Sequence, residues 1–228
     1  LEEHGIKKQL KTFENGVPYT QIVRAASLGN GVEVYDLAEQ KEMARYYDEK
    51  KAQKDIIKFV PASGAASRMF RFLHTFLEDY NPEEGGLVAY IKTNGLHPLK
   101  TFFDNLKYFP FTGSVRKEIR KQYPEYKQSE NGVRMHSFVA LLLGKNDLNY
   151  GGLPKGLIPF HKYAKYTRTA FEEQLFEATQ YAAVDGVAHL HFTFSPQHLT
   201  LFKDAFEKVK NRIIKKTKVN VRISYSFQ

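Results

Sequence analysis

The sequence predicts an α/β protein with a mostly parallel, three-layer sheet, and three observations carry that prediction. A short apolar, β-prone run ends in small residues and an arginine, Ile56-Ile57-Lys58-Phe59-Val60-Pro61-Ala62-Ser63-Gly64-Ala65-Ala66-Ser67-Arg68-Met69, as a strand does when it turns into a helix. Late in the chain, helix, strand, helix and strand follow one another at lengths that close a right-handed βαβ unit. The 228 residues, 42% hydrophobic and 26% charged, are enough to bury a sizeable core.

Each element has its own signal. Residues 1–54 read as a polar, helical N-terminal extension, with helices near 4–14 and 36–52 around a glycine-rich middle. Residues 55–61 predict the first strand. Met69, Phe72, Leu73 and Phe76 then recur at helical spacing, so a helix is predicted to run from Arg68 to Leu77. Prolines and glycines break residues 80–150 into short pieces, among which 99–106 and 135–143 read as helices. That block is predicted to be a helical insertion that adds no strand to the sheet. Thr169-Ala170-Phe171-Glu172 is a capping box that opens a helix reaching about residue 182. Residues 187–194 predict a strand. Ser195 is placed to cap the next helix with Pro196 at its first position, and Leu199, Phe202, Phe206, Val209 and Ile213 form its buried stripe. Alternating apolar residues over 219–227 predict the last strand.

Composition narrows the functional classes. The chain has no cysteine, which excludes disulfides, zinc–thiolate sites and a thiol nucleophile, and fits a cytoplasmic protein. No apolar run approaches the roughly 20 residues of a membrane span, and no signal peptide opens the chain, so no membrane partner is predicted. The net charge of +9 points to anionic partners. Its densest cluster, Lys208, Lys210, Arg212, Lys215, Lys216 and Lys218, alternates with Val209, Ile213 and Ile214 and reads as the wet face of a helix. Nucleic acid is therefore the least favoured anion. The first residue, Leu1, is not a methionine, and Gln228 follows directly on a strand-like run. The chain reads as the N-terminal part of a longer protein, with residues 55–228 an incomplete α/β domain.

The chemistry is predicted where the first strand ends. Small side chains at Ala62, Ser63, Gly64, Ala65, Ala66 and Ser67 let an anion approach the backbone, and unpaired N–H groups at a following helix would face it. Gly151-Gly152-Leu153-Pro154-Lys155-Gly156-Leu157 offers a second cation, and Arg68 and Lys155 are predicted to meet in one cleft. His189 and His191 share a strand face with His198 just beyond, a spacing more typical of packing than of a metal set, and no metal ligand is assigned. No P-loop, Gly-x-Ser-x-Gly elbow or paired-carboxylate spacing occurs.

Ala62-Ser63-Gly64-Ala65-Ala66-Ser67-Arg68-Met69 resembles the Ala-Gly-Gly-x-Gly-Thr-Arg-Met signature of nucleotidyltransferases that make nucleotide sugars. Pro154-Lys155 is similar to the Pro-Lys pair downstream of that signature. The order of elements after the pair also agrees, so the resemblance covers residues 55–70 and 151–228. The two motifs together look closer still to a family of long bacterial proteins of unknown function. The resemblance implies a Rossmann-like, GT-A-type sheet and transfer of a nucleotidyl group from a nucleoside triphosphate to a phosphorylated acceptor such as a sugar phosphate, with Mg²⁺. It implies that Ala62, Ser63, Gly64, Ala65, Ala66 and Ser67 hold phosphates, that Arg68 and Lys155 act in catalysis, and that Gln228 approaches the nucleotide. The family's metal-binding aspartate follows a later strand, so Mg²⁺ has no ligand in this chain, which is expected to bind nucleotide weakly without turnover. Two rival readings are a non-catalytic nucleotide or sugar-phosphate binding protein and a nucleic-acid binder using the basic helix.

Overall fold

The computed structural model describes residues 3–17 and 19–227. The chain divides into two compact units, residues 1–50 and 51–228.

In the first unit, α1 (Glu3–Asn15) is followed by two-residue strands β1 (Ser27–Leu28) and β2 (Gly31–Val32) and by α2 (Leu37–Lys50). Asp36 starts α2: its carboxylate accepts the Ala38 and Glu39 N–H groups at 2.7 and 2.9 Å, and Glu39 returns a bond to the Asp36 N–H at 2.8 Å. That reciprocal arrangement satisfies the first-turn donors a helix leaves open. No described residue of either helix is buried.

The second unit holds two cores. Strand β3 (Ile57–Pro61) leads into α3 (Arg71–Asp79), α4 (Leu87–Thr93), α5 (His97–Asp104), α6 (Thr112–Gln122) and α7 (Asn131–Leu143). A hairpin of β4 (Pro159–Lys162) and β5 (Thr167–Thr169) precedes α8 (Ala170–Tyr181), β6 (Ala183–Val184), β7 (Val187–Phe194), α9 (Leu199–Thr217) and β8 (Asn220–Phe227). Strand β7 is central, with β3 and β8 both parallel to it, and β6 lies antiparallel beside its first residues. The protein is thus a mixed α/β fold, and the β7–α9–β8 unit is the parallel crossover its periodicity predicts.

Alternation along β7 decides which side of the sheet is dry. Ala188, Leu190, Phe192 and Phe194 are buried against Phe171 and Leu175 of α8 and Phe202, Val209 and Ile213 of α9. His189 and His191 point the other way, beside Ile57 and Phe59 of β3 and Arg222 and Ser224 of β8. Phe59 is 62% exposed on that side. The α8 cap is a true capping box: the Glu172 N–H donates to the Thr169 hydroxyl at 3.1 Å, and the Glu172 carboxylate accepts the Thr169 N–H at 3.3 Å.

The other core is helical. Leu73 and Phe76 of α3 pack with Leu99 and Phe102 of α5, Val115 and Ile119 of α6, and Phe138 and Leu142 of α7. Residues 80–150 contribute no strand, and β3 pairs directly with β7. The lobe is wider than the sequence suggests, because α3, Tyr150 and Ile158 belong to its core.

Three boundaries differ from the sequence expectation. The helix after the turn begins at Arg71, not Arg68, because the Ala66 carbonyl accepts the Met69 and Phe70 N–H groups in a tight turn first. Ser195 does not cap α9 through its side chain. Its carbonyl accepts the His198 N–H at 2.9 Å, closing a 3₁₀ turn over Pro196–His198 before α9 begins at Leu199. The β4–β5 hairpin was not anticipated, since His161, Lys162 and Arg168 interrupt any apolar alternation there.

Candidate functional site

The turn after β3 and the Gly-Gly-Leu-Pro-Lys-Gly segment are docked on one another. The Ala62 N–H extends the sheet ladder to the Thr193 carbonyl at 2.7 Å. The Lys155 N–H then donates to the Gly64 carbonyl at 2.9 Å and the Ala66 N–H to the Leu153 carbonyl at 3.3 Å, setting Ala65 opposite Pro154. Motifs far apart in sequence therefore form a short antiparallel pair at the carboxyl end of β3.

Close packing explains the glycines of the second segment. A Cβ on Gly151 would stand 2.8 Å from His74 Nε2, one on Gly152 2.6 Å from Asn149 Oδ1, and one on Gly156 3.1 Å from two ring carbons of Phe202. Asn149 has φ of 49°, and its carbonyl accepts the Gly152 and Leu153 N–H groups. Pro154 is extended and starts the 3₁₀ turn Lys155–Leu157. Gly64 is different. Its φ lies outside the left-handed region, and a Cβ there would meet only Lys155 Cδ, at 3.8 Å. That is ordinary contact, so neither packing against the lysine stem nor backbone conformation requires glycine here.

The predicted phosphate-binding residues separate into two groups. Gly64, Ala65 and Ser67 are exposed, and among the described residues their N–H groups, with that of Arg68, have no backbone acceptor. Ala66 does not face an anion: it is 0% exposed and its methyl packs in the helical core. Ala62 and Ser63 are half-buried at the strand end. Lys155 is exposed and lines a cavity of about 250 Å³ with Ala62, Gly64, Gln174, Phe171 and Phe202. Arg68 is exposed on the turn and is not among that cavity's lining residues, so the structure brings Lys155 to the turn but does not seat Arg68 in the same cavity. Gln228 lies outside the described residues.

The remaining candidates are the histidines and the basic helix. His191 sits between two β8 hydroxyls, Nδ1 at 2.9 Å from Ser224 Oγ and Nε2 at 3.0 Å from Ser226 Oγ, and its ring stacks on Phe59 at 5.7 Å. His198 is buried at the start of α9. Among the described residues no three acidic or histidine side chains cluster, so no residue is assigned to Mg²⁺. Along the basic helix, Arg212 pairs with Glu172 at 3.1 Å and Lys210 with Glu207 at 3.8 Å, while Lys216 lies over the Tyr166 and Phe176 rings. Much of that charge is engaged within the chain. No described helix is long and apolar enough to cross a membrane.

Sequence reading missed one charged cluster. Arg168, 7% exposed, bonds both carboxylate oxygens of Glu173 at 3.1 Å and stacks 3.6 Å over the Phe176 ring, with Tyr163 and Tyr166 each 5.0 Å away. Burial pushes the Glu173 carboxyl up, but hydrogen bonds from Tyr163 and Arg168 and the arginine's charge outweigh it and hold the group below its ordinary value.

Comparison with curated proteins and with solved structures yields no match. A family model spans the whole chain, residues 1–228, and by that match the protein belongs to the family described as "Domain of unknown function (DUF4301)".

Proposed function

We propose that the Ala62–Arg68 turn and Lys155 form a phosphate seat, used for nucleotidyl transfer from a nucleoside triphosphate to a phosphorylated acceptor such as a sugar phosphate. The observation that carries this reading is the 2.9 Å bond from the Lys155 N–H to the Gly64 carbonyl, which fixes a lysine beside a turn in which, among the described residues, the Gly64, Ala65, Ser67 and Arg68 N–H groups have no backbone acceptor. Backbone donors and a cation at the carboxyl end of a parallel strand are the elements an anion needs. On this reading the β3–β7–β8 sheet is part of a three-layer, Rossmann-like sheet.

In such a transfer an acceptor phosphate oxygen attacks the α-phosphorus in line, the bond to the bridging oxygen breaks, and pyrophosphate leaves. Negative charge spreads over the phosphoryl oxygens, so placed cations and N–H donors do most of the work. Lys155 is assigned to that charge, and Arg68, exposed on the same turn, to the phosphate chain as ligand docks. Mg²⁺, when bound with the triphosphate, would supply charge neutralisation. The described residues supply no donor set for it, so no step here runs through the metal. The same observation favours a second reading, in which the seat binds a nucleotide or sugar phosphate without turnover.

Calorimetric titration with nucleoside triphosphates tests the seat. Lys155→Ala is expected to weaken binding at least tenfold, and equal affinity in both proteins would remove Lys155 from the site. Pyrophosphate release with sugar phosphates as acceptors then separates transfer from binding alone.

A further inference from the structure

We propose that the phosphorylated ligand of this seat carries an apolar group, held in an aromatic groove that adjoins it. The proposal rests on the phosphate-seat reading and names the class of compound: a soluble phosphomonoester with an aliphatic or aromatic body.

The groove has a volume of about 830 Å³, and Met69, Phe70, Phe102, Phe109, Phe111 and Phe160 line it. That volume is within the range of small-molecule sites. Phe70, Phe102 and Phe111 are buried beneath its floor. Phe109 and Phe111 stack at 5.1 Å and 7°, and Phe102 stacks on Phe109 at 5.1 Å, which makes a flat wall. A concave wall of apolar side chains with few polar groups is the form that small-molecule sites take.

Two connections join the groove to the phosphate seat. Phe160 lines both the groove and the Lys155 cavity. The turn that presents Gly64 to Lys155 continues through Arg68 directly into Met69 and Phe70 of the groove. Among the described residues no aspartate or glutamate lines either cavity, and Lys155 supplies their formal charge. An anionic head with an apolar body matches that distribution. A bare sugar phosphate would leave the groove unfilled.

The test titrates the protein with inorganic phosphate, octyl phosphate below its micellar concentration, and octanol. Octyl phosphate is expected to bind at least tenfold tighter than phosphate. Tenfold is about 1.4 kcal/mol, the burial of roughly two methylene groups. In Thr101→Trp, which places an indole at an exposed groove position, the two ligands are expected to bind alike. Far-UV circular dichroism checks that this variant folds. Equal affinities for phosphate and octyl phosphate in the unsubstituted protein overturn the proposal and leave the seat standing. Loss of all phosphate binding, with octanol still blocked by Thr101→Trp, overturns the seat and with it the joined site. An octyl advantage that survives in Thr101→Trp puts the chain elsewhere and also overturns it. Vesicles containing phosphatidic acid are expected not to capture the protein. Capture by vesicles without octyl phosphate binding would replace the soluble ligand with a membrane surface.

Discussion

Gly156→Ala tests whether packing, rather than backbone freedom, shapes the segment that carries Lys155. The new methyl would stand 3.1 Å from two ring carbons of Phe202, several tenths of an ångström inside ordinary contact. The ring is 2% exposed, stacks on Phe194 at 4.5 Å and 7°, meets Phe171 edge-on at 5.2 Å, and borders the Lys155 cavity. Overpacking costs about 1–3 kcal/mol, and the cavity beside the ring places this variant at the low end, about 1 kcal/mol; each 1 kcal/mol lowers Tm by about 2–4 °C in a chain of this size. The measurement is urea unfolding followed by far-UV circular dichroism, since the chain has no tryptophan. The midpoint should fall while the slope with denaturant stays unchanged. Phe202→Leu removes the atoms the methyl strikes. The double variant should therefore lose at least about 0.5 kcal/mol less than the sum of the singles. Because Lys155 precedes Gly156, the strained protein should also bind triphosphate more weakly while still folded. A Gly156→Ala protein as stable as the original, or strictly additive effects with Phe202→Leu, would refute the reasoning.

Other perturbations have equally defined outcomes. Burial of His136 beside Phe76 holds its imidazole below the ordinary 6.5, so the unfolded chain binds the proton first. That contribution is complete above pH 6.5 and is lost as pH falls through the native value. The depressed Glu173 carboxyl adds a second loss below its ordinary 4.5. Urea midpoints should fall in both windows, and His136→Phe should flatten the first. Thr169→Ala should cost about 1 kcal/mol by removing the α8 cap, again read from urea unfolding. Arg168→Met leaves Glu173 partly buried without its partner and should cost about 3 kcal/mol. Adding Glu173→Met should restore more than half of that loss, and no recovery would show that stacking on Phe176, not the ion pair, dominates.

The strands and long helices were legible because their signals are local. Val187 to Phe194 alternates one residue in, one residue out, and the structure forms β7 over those residues. Thr169 and Glu172 stand three apart and cap α8 reciprocally. An equally local signal went unread: Asp185-Gly186, with φ of 48° and 75°, makes the tight turn between β6 and β7. Other features had no local signature. Ala66 sits in a small-residue turn that suggests an anion, yet it is core, because the helical lobe folds back over it. Arg68 precedes its helix instead of opening it, because the Ala66 carbonyl first accepts the Met69 and Phe70 N–H groups, in a turn docked on Leu153 by a contact no spacing encodes. The glycines of residues 151–156 look like flexibility in sequence, and only the positions of His74, Asn149 and Phe202 show them to be clearances. Local pattern was enough for β3, β7, β8 and the helices α8 and α9, since hydrophobic period and caps act within a few residues. The tertiary structure decided which motifs meet, since the Lys155–Gly64 contact depends on how a whole helical lobe between them closes.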